Sequence, residues 1–252
     1  LVIVNDGGNG KPVDRLVKRY KAGLEGRCQV IHNSVSLGME AASNKGIRAV
    51  RSEFVVIHDD DDSWDPDFLL RTVGYLEEHV DAMGVITHSM QIDERIETDR
   101  IVTVREKVFK PWLLGRISYI SMLDDNQFPP ISFVYRRKVF KEIGFYDENL
   151  PVQGDWEFNL RFIRKHDIFI IPESLANYHL RVETSTGIYG NTILTNDGQQ
   201  RHSLYHIGIQ NELLRKDFDS GKAGFGEMIH VSGLVGQYMW RIQEIQWKVN
   251  LL

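Results

Sequence analysis

The chain has 252 residues, 42% hydrophobic and 26% charged, which is ordinary for a globular protein and long enough for one large α/β domain or two small ones. With 30 basic against 35 acidic side chains and a formal net charge of −5, it has no basic excess to hold a nucleic acid. Its single cysteine, Cys28, excludes an internal disulfide and makes a reducing compartment the default, and nothing in it reads as a secretory signal or an apolar run able to span a bilayer.

In chain order, "LVIV" (1–4) is an apolar run stopped by the turn cluster "NDGGNG". It opens in mid-strand with no Met before it, so the native protein is expected to extend before Leu1 by at least one strand. A helix is expected over 12–24, with Val13, Leu16, Val17 and Tyr20 at helical spacing, then a strand at "CQVIHN" (28–33). "GMEAASNKGIRAV" (38–50) predicts a helix with Ala41, Ala42 and Ile47 available to pack. "EFVVIHD" (53–59) predicts a strand. "DPDFLLRTVGYLEEH" (65–79) predicts a helix whose first turn is crowded by Asp65, Pro66 and Asp67, and "GVITHSMQI" (84–92) another strand. Strands and helices alternating in this way argue for a mostly parallel sheet with helices on both faces.

The stretch 93–135 is less readable. Trp112, Tyr119 and Phe128 suit either an aromatic platform for a ligand or a core, and Asp124 and Asp125 read as solvated surface. "VQGDWEFNLRF" (152–162) predicts a helix with Trp156, Leu160 and, just beyond, Ile163 on one stripe; Asp155 stands at its start, as a helix cap or as a carboxylate facing a cleft. "IFII" (168–171) reads as a strand and "NYHLR" (177–181) as its neighbour in the sheet. Beyond 187, Leu204, Ile207, Ile209 and Leu213 mark a helix. Residues 226–252 read as a long amphipathic one that packs on the domain or contacts an oligomer partner or a membrane surface.

"FVVIHDDDDSWDPDF" (54–68) places four aspartates at the carboxyl end of an expected strand, where such sheets bind ligands. A divalent cation with hard oxygen ligands would neutralise them. A solvated acidic loop, with Asp65 and Asp67 serving the helix dipole, explains the same residues. Other templates fail: Trp64 and Leu70 stand where a calcium loop needs Gly and Glu, Asn5 and Pro12 where a phosphate-binding loop needs Gly and Ser or Thr, and Val13 where a dinucleotide fingerprint needs Gly.

Taken together, "LVIVNDGG", "GMEAASNKGIRAVRSEFVVIHDDDDSWDPDFL" and "FYDENLPVQGDWEFNLRF" resemble, in order and spacing, a family-2 glycosyltransferase of the GT-A fold, over roughly residues 1–183. The resemblance implies an α/β, Rossmann-like domain over 1–186, with a mixed, mostly parallel sheet flanked by helices, and a C-terminal helical extension over 187–252. It implies an inverting enzyme that moves a sugar from a nucleoside-diphosphate sugar, UDP-linked in this reading, to a hydroxyl, with Mn²⁺ or Mg²⁺ as cofactor. Asp6 then bonds the nucleotide base, Asn44 and Lys45 lie near the nucleotide, and Asp59 or Asp60 contacts the ribose, or the metal through water. Asp61 binds the metal, His179 completes the metal site, Arg181 touches the diphosphate and Asp155 is the base. The chain departs from the family pattern at Asn5, where Asp is usual, at Ser43, where Arg is usual, and at His179 and Arg181, whose order is reversed. The implied acceptor is a carbohydrate or lipid-linked carbohydrate in surface polysaccharide synthesis. The implied location is cytoplasmic, with peripheral contact at the inner face of the membrane. Two alternatives stand beside it. A non-catalytic carbohydrate- or nucleotide-binding domain has no use for the set Asp59, Asp61 and Asp155. A magnesium-dependent nucleotidyltransferase needs cations beside the aspartates, and no Lys/Arg-rich loop stands there.

Overall fold

A computed structural model describes residues 1–97, 100–182, 196–222 and 224, with 231, 235, 238 and 242. The chain forms two compact units, Leu1–His202 and Ser203–Leu252. The expected border at 186/187 falls outside the described residues.

The elements run β1 (Val2–Asp6), α1 (Gly10–Arg19), α2 (Lys21–Leu24), β2 (Gln29–Asn33), α3 (Met39–Ala49), β3 (Phe54–Val55), β4 (Ser63–Trp64) and α4 (Phe68–Glu78). They continue with β5 (Gly84–Glu97), β6 (Arg100–Phe109), α5 (Tyr119–Asp124), β7 (Phe133–Arg136), α6 (Phe140–Ile143), α7 (Gly154–Ile163), β8 (Ile168–Arg181) and α8 (Asn196–Asp219). β1 and β2 pair in parallel from Val2↔Gln29 to Asp6↔Asn33, so their carboxyl ends bring Asp6 beside Asn33. A second, mixed sheet has the order β3-β7-β5-β8-β4, with β6 folded back on β5 as a long hairpin. β5 and β8 run parallel, whereas β7, β6, β3 and β4 pair antiparallel to their neighbours.

Two expectations are corrected here. The strand expected over 53–59 forms a ladder only at Phe54–Val55. Its neighbour β7 begins at Phe133, after a 3-10 turn over Pro130–Ser132, and in the register Phe54↔Arg136 and Val55↔Tyr135 the ladder stops before Val134 is reached. The chain from Val56 to Asp62 is thereby released as a loop at the sheet edge. Second, 168–171 and 177–181 are one strand, β8. The pairing steps from Thr87↔Ile171 to His88↔Ser174, which leaves Pro172 and Glu173 as a bulge rather than a turn.

Helix α4 packs Phe68 and Leu76 onto Val85, Ile131, Val134, Ile171 and Ala176 in one apolar cluster. On α7, Trp156, Leu160 and Ile163 are buried as their spacing predicts, with Phe158 and Phe162 beside them. These rings meet those of Phe133, Tyr135 and Phe140. Gly84 opens β5 because a Cβ there would stand 2.6 Å from the Phe133 ring and 2.7 Å from that of Phe162. Phe128 is 3% exposed and packs tilted against Phe133 in this core, which removes it from the candidate sugar platforms.

Within the second unit, Lys216 and Glu212 pair one turn apart on α8 at 2.6 Å. Apart from single positions, the helix expected over 226–252 lies outside the described residues. No described helix is long and apolar enough to cross a membrane.

Candidate active site

The first part of the site is built on β1 and β2. Asp6, the last residue of β1, accepts hydrogen bonds from Asn33 Nδ2 (2.7 Å), Ser36 Oγ (2.8 Å) and the backbone N–H groups of Leu37 and Gly38 (2.9 Å each). Burial alone would raise its pKa, but these donors hold the carboxyl down at about 2. Gly7 follows at φ +80, where a Cβ would strike the Ser36 backbone nitrogen, so the 34–38 loop closes tightly over the end of β1. Lys45, on α3, reaches back to Asn33 Oδ1 and extends the chain of contacts to Asp6. Asn44, the next candidate, turns the other way. It is fully buried, its amide donates to Tyr146 O and Glu148 Oε1 at 2.8 Å, and its Oδ1 accepts from Tyr146 N–H at 3.0 Å.

The four aspartates form the loop between β3 and β4. Trp64 anchors it, donating from Nε1 to Ile131 O at 2.9 Å and stacking on Phe68 with ring centroids 4.6 Å apart. The loop runs alongside β8 beyond the Ser63↔Asn177 pair. Asp62 therefore accepts from His179 N–H at 2.9 Å, and Asp61 from Arg181 Nη1 at 3.2 Å. His179 Nδ1 lies 2.7 Å from Glu94 Oε1, and its Nε2 lies 3.1 Å from Ser63 Oγ. Burial, with repulsion from Asp61, Asp155 and Asp60, pushes Asp59 up to about 6. Burial likewise pushes Asp62 up to about 7 against the His179 N–H, with Asp59 and Asp61 adding repulsion. Asp60 is exposed.

Asp155 is not the cap of α7. The cap position is Gln153, in the left-handed region at φ 67 with no side-chain cap bond, and Asp155 lies inside the first turn. Its Oδ2 accepts from Asn126 Nδ2 at 2.7 Å, and Asn159 Nδ2 in turn supports Asn126 Oδ1 at 3.1 Å. Burial raises the pKa of Asp155, opposed by the N–H groups of Trp156 and Asp155 and by Asn126. Glu157, two residues on, is spent on Arg161 at 2.6 Å. Asp59 and Asp155 line one small cleft together with Glu40, Ser43 and Tyr146. Of the expected aromatic platforms, Trp112 is 70% exposed and Tyr119 44%.

Glu40, Glu94 and Asn126 escaped the sequence reading. Glu40 carried a signal: Glu40, Asn44 and Ile47 are the buried residues of α3, at i, i+4 and i+7, and two of the three are polar. A polar residue on a core-facing stripe is a site marker. Glu94 and Asn126 carry none, because they are placed by pairings distant in sequence.

The donor set suits a hard divalent cation in kind. Asp59, Asp61 and Asp62 crowd together with Arg181 as a neighbouring cation, and His179 is backed by a carboxylate on Nδ1, as ligating histidines usually are. Among the described residues, no group of three or more His, Cys, Asp or Glu is arranged to hold a metal ion.

A family model described as glycosyl transferase family 2 matches residues 1–144. A Sinorhizobium fredii protein is 28% identical over 172 residues, 66% of this chain and 17% of its own length. The uncharacterized glycosyltransferase YwdF of Bacillus subtilis is 24% identical over 173 residues, 68% of this chain and 60% of its own. The chain thus spans less than two thirds of either relative. Among solved structures, S. aureus TarS 1-349 in complex with UDP-GlcNAc superposes with a TM-score of 0.55 at 16% identity, over 90% of this chain and 68% of that one. GalNAc-T7 with UDP, GalNAc and Mn²⁺ superposes with a TM-score of 0.50 at 14% identity, over 74% and 39%. At such identities these structures speak for the fold, while the sequence match covers more than half the chain: this chain belongs to glycosyl transferase family 2 and has the GT-A fold.

Proposed function

We propose that the chain transfers a sugar, with inversion, from a UDP-linked donor to a hydroxyl of a carbohydrate or lipid-linked carbohydrate in surface polysaccharide assembly. The observation that carries the reading is Asp155. Its carboxyl is held by Asn126, raised in pKa by burial, and opens on the same cleft as Asp59. The complexes of TarS with UDP-GlcNAc and of GalNAc-T7 with UDP support the choice of donor.

The acceptor oxygen attacks the anomeric carbon while the bond from that carbon to the diphosphate breaks, and the bonding pair leaves on the diphosphate. The acceptor proton passes to Asp155, a step worth on the order of 10²–10⁴-fold in rate. A single displacement inverts the centre. Asp59 and Asp60 face the donor ribose. Asp6, its own acceptor capacity filled, and Lys45 hold the loop that frames the base. Asn44 holds α3 against the segment that leads to Asp155. Arg181, now on Asp61, turns to the donor phosphates. Asp61 and His179 would hold a Mn²⁺ or Mg²⁺ ion, which supplies Lewis-acid stabilisation of the leaving diphosphate. The Mn²⁺ in the GalNAc-T7 structure supports that cofactor.

A panel of nucleotide sugars, incubated with the protein and Mn²⁺ or Mg²⁺, tests the reading through release of nucleoside diphosphate. Release from one UDP-sugar above all others is the expected result. Binding of a nucleotide sugar with no release or transfer from any member of the panel would make the chain a binding module.

A further inference from the structure

Glu40 is a carboxyl for which the mechanism above has no use. It is the second residue of α3 and is 3% exposed, and its Oε1 is buried without a hydrogen-bond partner. It packs on the start of α7 so closely that a Cβ on Gly154 would stand 2.2 Å from Oε1 and 2.6 Å from Cδ. The glycine before the base is thus required by Glu40. The cleft between them, lined by Glu40, Asp59, Asp155, Ser43 and Tyr146, encloses about 10 Å³, room for a single water-sized group.

A buried carboxylate with an oxygen left unpartnered is costly, and this one has two other carboxyls for neighbours. The groups facing it are Asp155 from α7, Asp59 from the loop after β3, Tyr146 from the segment before α7 and Ser43 from its own helix. No lysine, arginine or histidine is among the residues lining that space. Burial is the largest influence on it. Repulsion from Asp155 and Asp59 adds to that, against the N–H groups of Glu40 and Gly154, and the carboxyl is pushed up to about 7. Carboxyls that crowd one site cannot all ionise, and such a pair titrates as a unit.

We propose that Glu40 is the positioning partner of Asp155: a carboxyl that keeps its proton, shares the one water-sized space with the base, and leaves Asp155 as the anion that takes the acceptor proton. This rests on the transferase reading above. Ionisation of Glu40 adds a further negative charge to a cleft that already holds Asp59 and Asp155, which repels the donor diphosphate and upsets the base. Activity therefore declines on the alkaline side as Glu40 loses its proton.

The test uses the nucleotide sugar found by the panel. Glu40→Ala empties the space and is expected to lower kcat on the order of tenfold or more, with donor KM little changed. Glu40→Gln, neutral and of the same shape, recovers most of that loss and moves the alkaline limb of the pH–rate profile upward. An alkaline limb unmoved in Glu40→Gln, or a loss as deep as that of Asp155→Asn, overturns the proposal. A second arm needs no activity. The folded protein holds the Glu40 proton more tightly than the unfolded chain, so rising pH penalises wild type but not Glu40→Gln. The difference in Tm between the two should open between pH 4.5 and about 7 in favour of the variant. A pH-independent difference overturns the shared proton even if transfer is seen. A Tm difference that opens as expected in a protein that transfers nothing sinks the transferase reading instead.

Discussion

Asp6 and Asp155 are two carboxyls that the fold treats in opposite ways. Asp6 is held ionised by four donors, so its charge stabilises the fold. Its folded pKa of about 2 lies below the ordinary 3.8, so the stabilisation is complete above pH 3.8 and is lost as pH falls toward 2. Asp6→Ala should cost about 2 kcal/mol at pH 7. Urea unfolding from pH 5 down to pH 2.5 should show the gap to wild type shrinking; a constant gap would mean that the loop does not depend on the charge. Asp155 has its pKa raised by burial, which suits proton acceptance. Asp155→Asn keeps the shape but cannot take the proton. Transfer should fall by roughly 10²-fold or more, while nucleotide affinity and Tm stay close to wild type. Wild-type transfer by this variant would send the search for the base elsewhere, since Glu157 is committed to Arg161.

At the scale of elements, the site depends on how α3 is tied to the segment that enters α7. Asn44 makes that tie with three hydrogen bonds to Tyr146 and Glu148 across a separation of about a hundred residues. Asn44→Ala strands the buried backbone groups of Tyr146 and should destabilise the protein by about 2–4 kcal/mol. Thermal melts would register this, together with nucleotide binding measured well below the transition. Loss of nucleotide affinity at unchanged Tm would return Asn44 to the donor pocket. Glu40, one turn earlier on the same helix, feels the same junction through Gly154.

For the molecule as a whole, a net charge of −5 is unremarkable, but its carboxylates are not evenly spread: Glu40, Asp59, Asp61, Asp62 and Asp155 act on one another across one end of the sheet. A charge cluster of this kind costs stability until a cation or ligand relieves it. UDP with Mn²⁺ should raise Tm more than UDP with a chelator. Saturation at a hundredfold excess over Kd is worth about 2.7 kcal/mol. In Asp61→Ala, calorimetric titration of UDP should give the same affinity with and without Mn²⁺. If wild type also shows no effect of Mn²⁺, the metal has no part in donor binding.

Much of the order of elements, the α7 stripe and the acidic run were legible in the sequence, because each rests on local spacing: Trp156, Leu160 and Ile163 form a buried stripe and the aspartates follow an apolar run, whereas Leu16 and Tyr20 of α1 stand 55% and 57% exposed. The sequence by itself also determined the family resemblance, which is carried by short words in a given order. What only the tertiary structure decided is where the polar side chains are spent. Val56–Ile57 leave the ladder after only two pairs with β7, and Pro172 bulges a strand that reads as two. Asp6 turns inward to a loop, Asn44 points to Tyr146 rather than toward Asp6, and Glu40 meets Gly154. Hydrogen bonds and carboxyl pairs of this kind join residues 30 to 120 positions apart. Local periodicity carries no information about them, because the free energy that places them comes from burial once the sheet has closed.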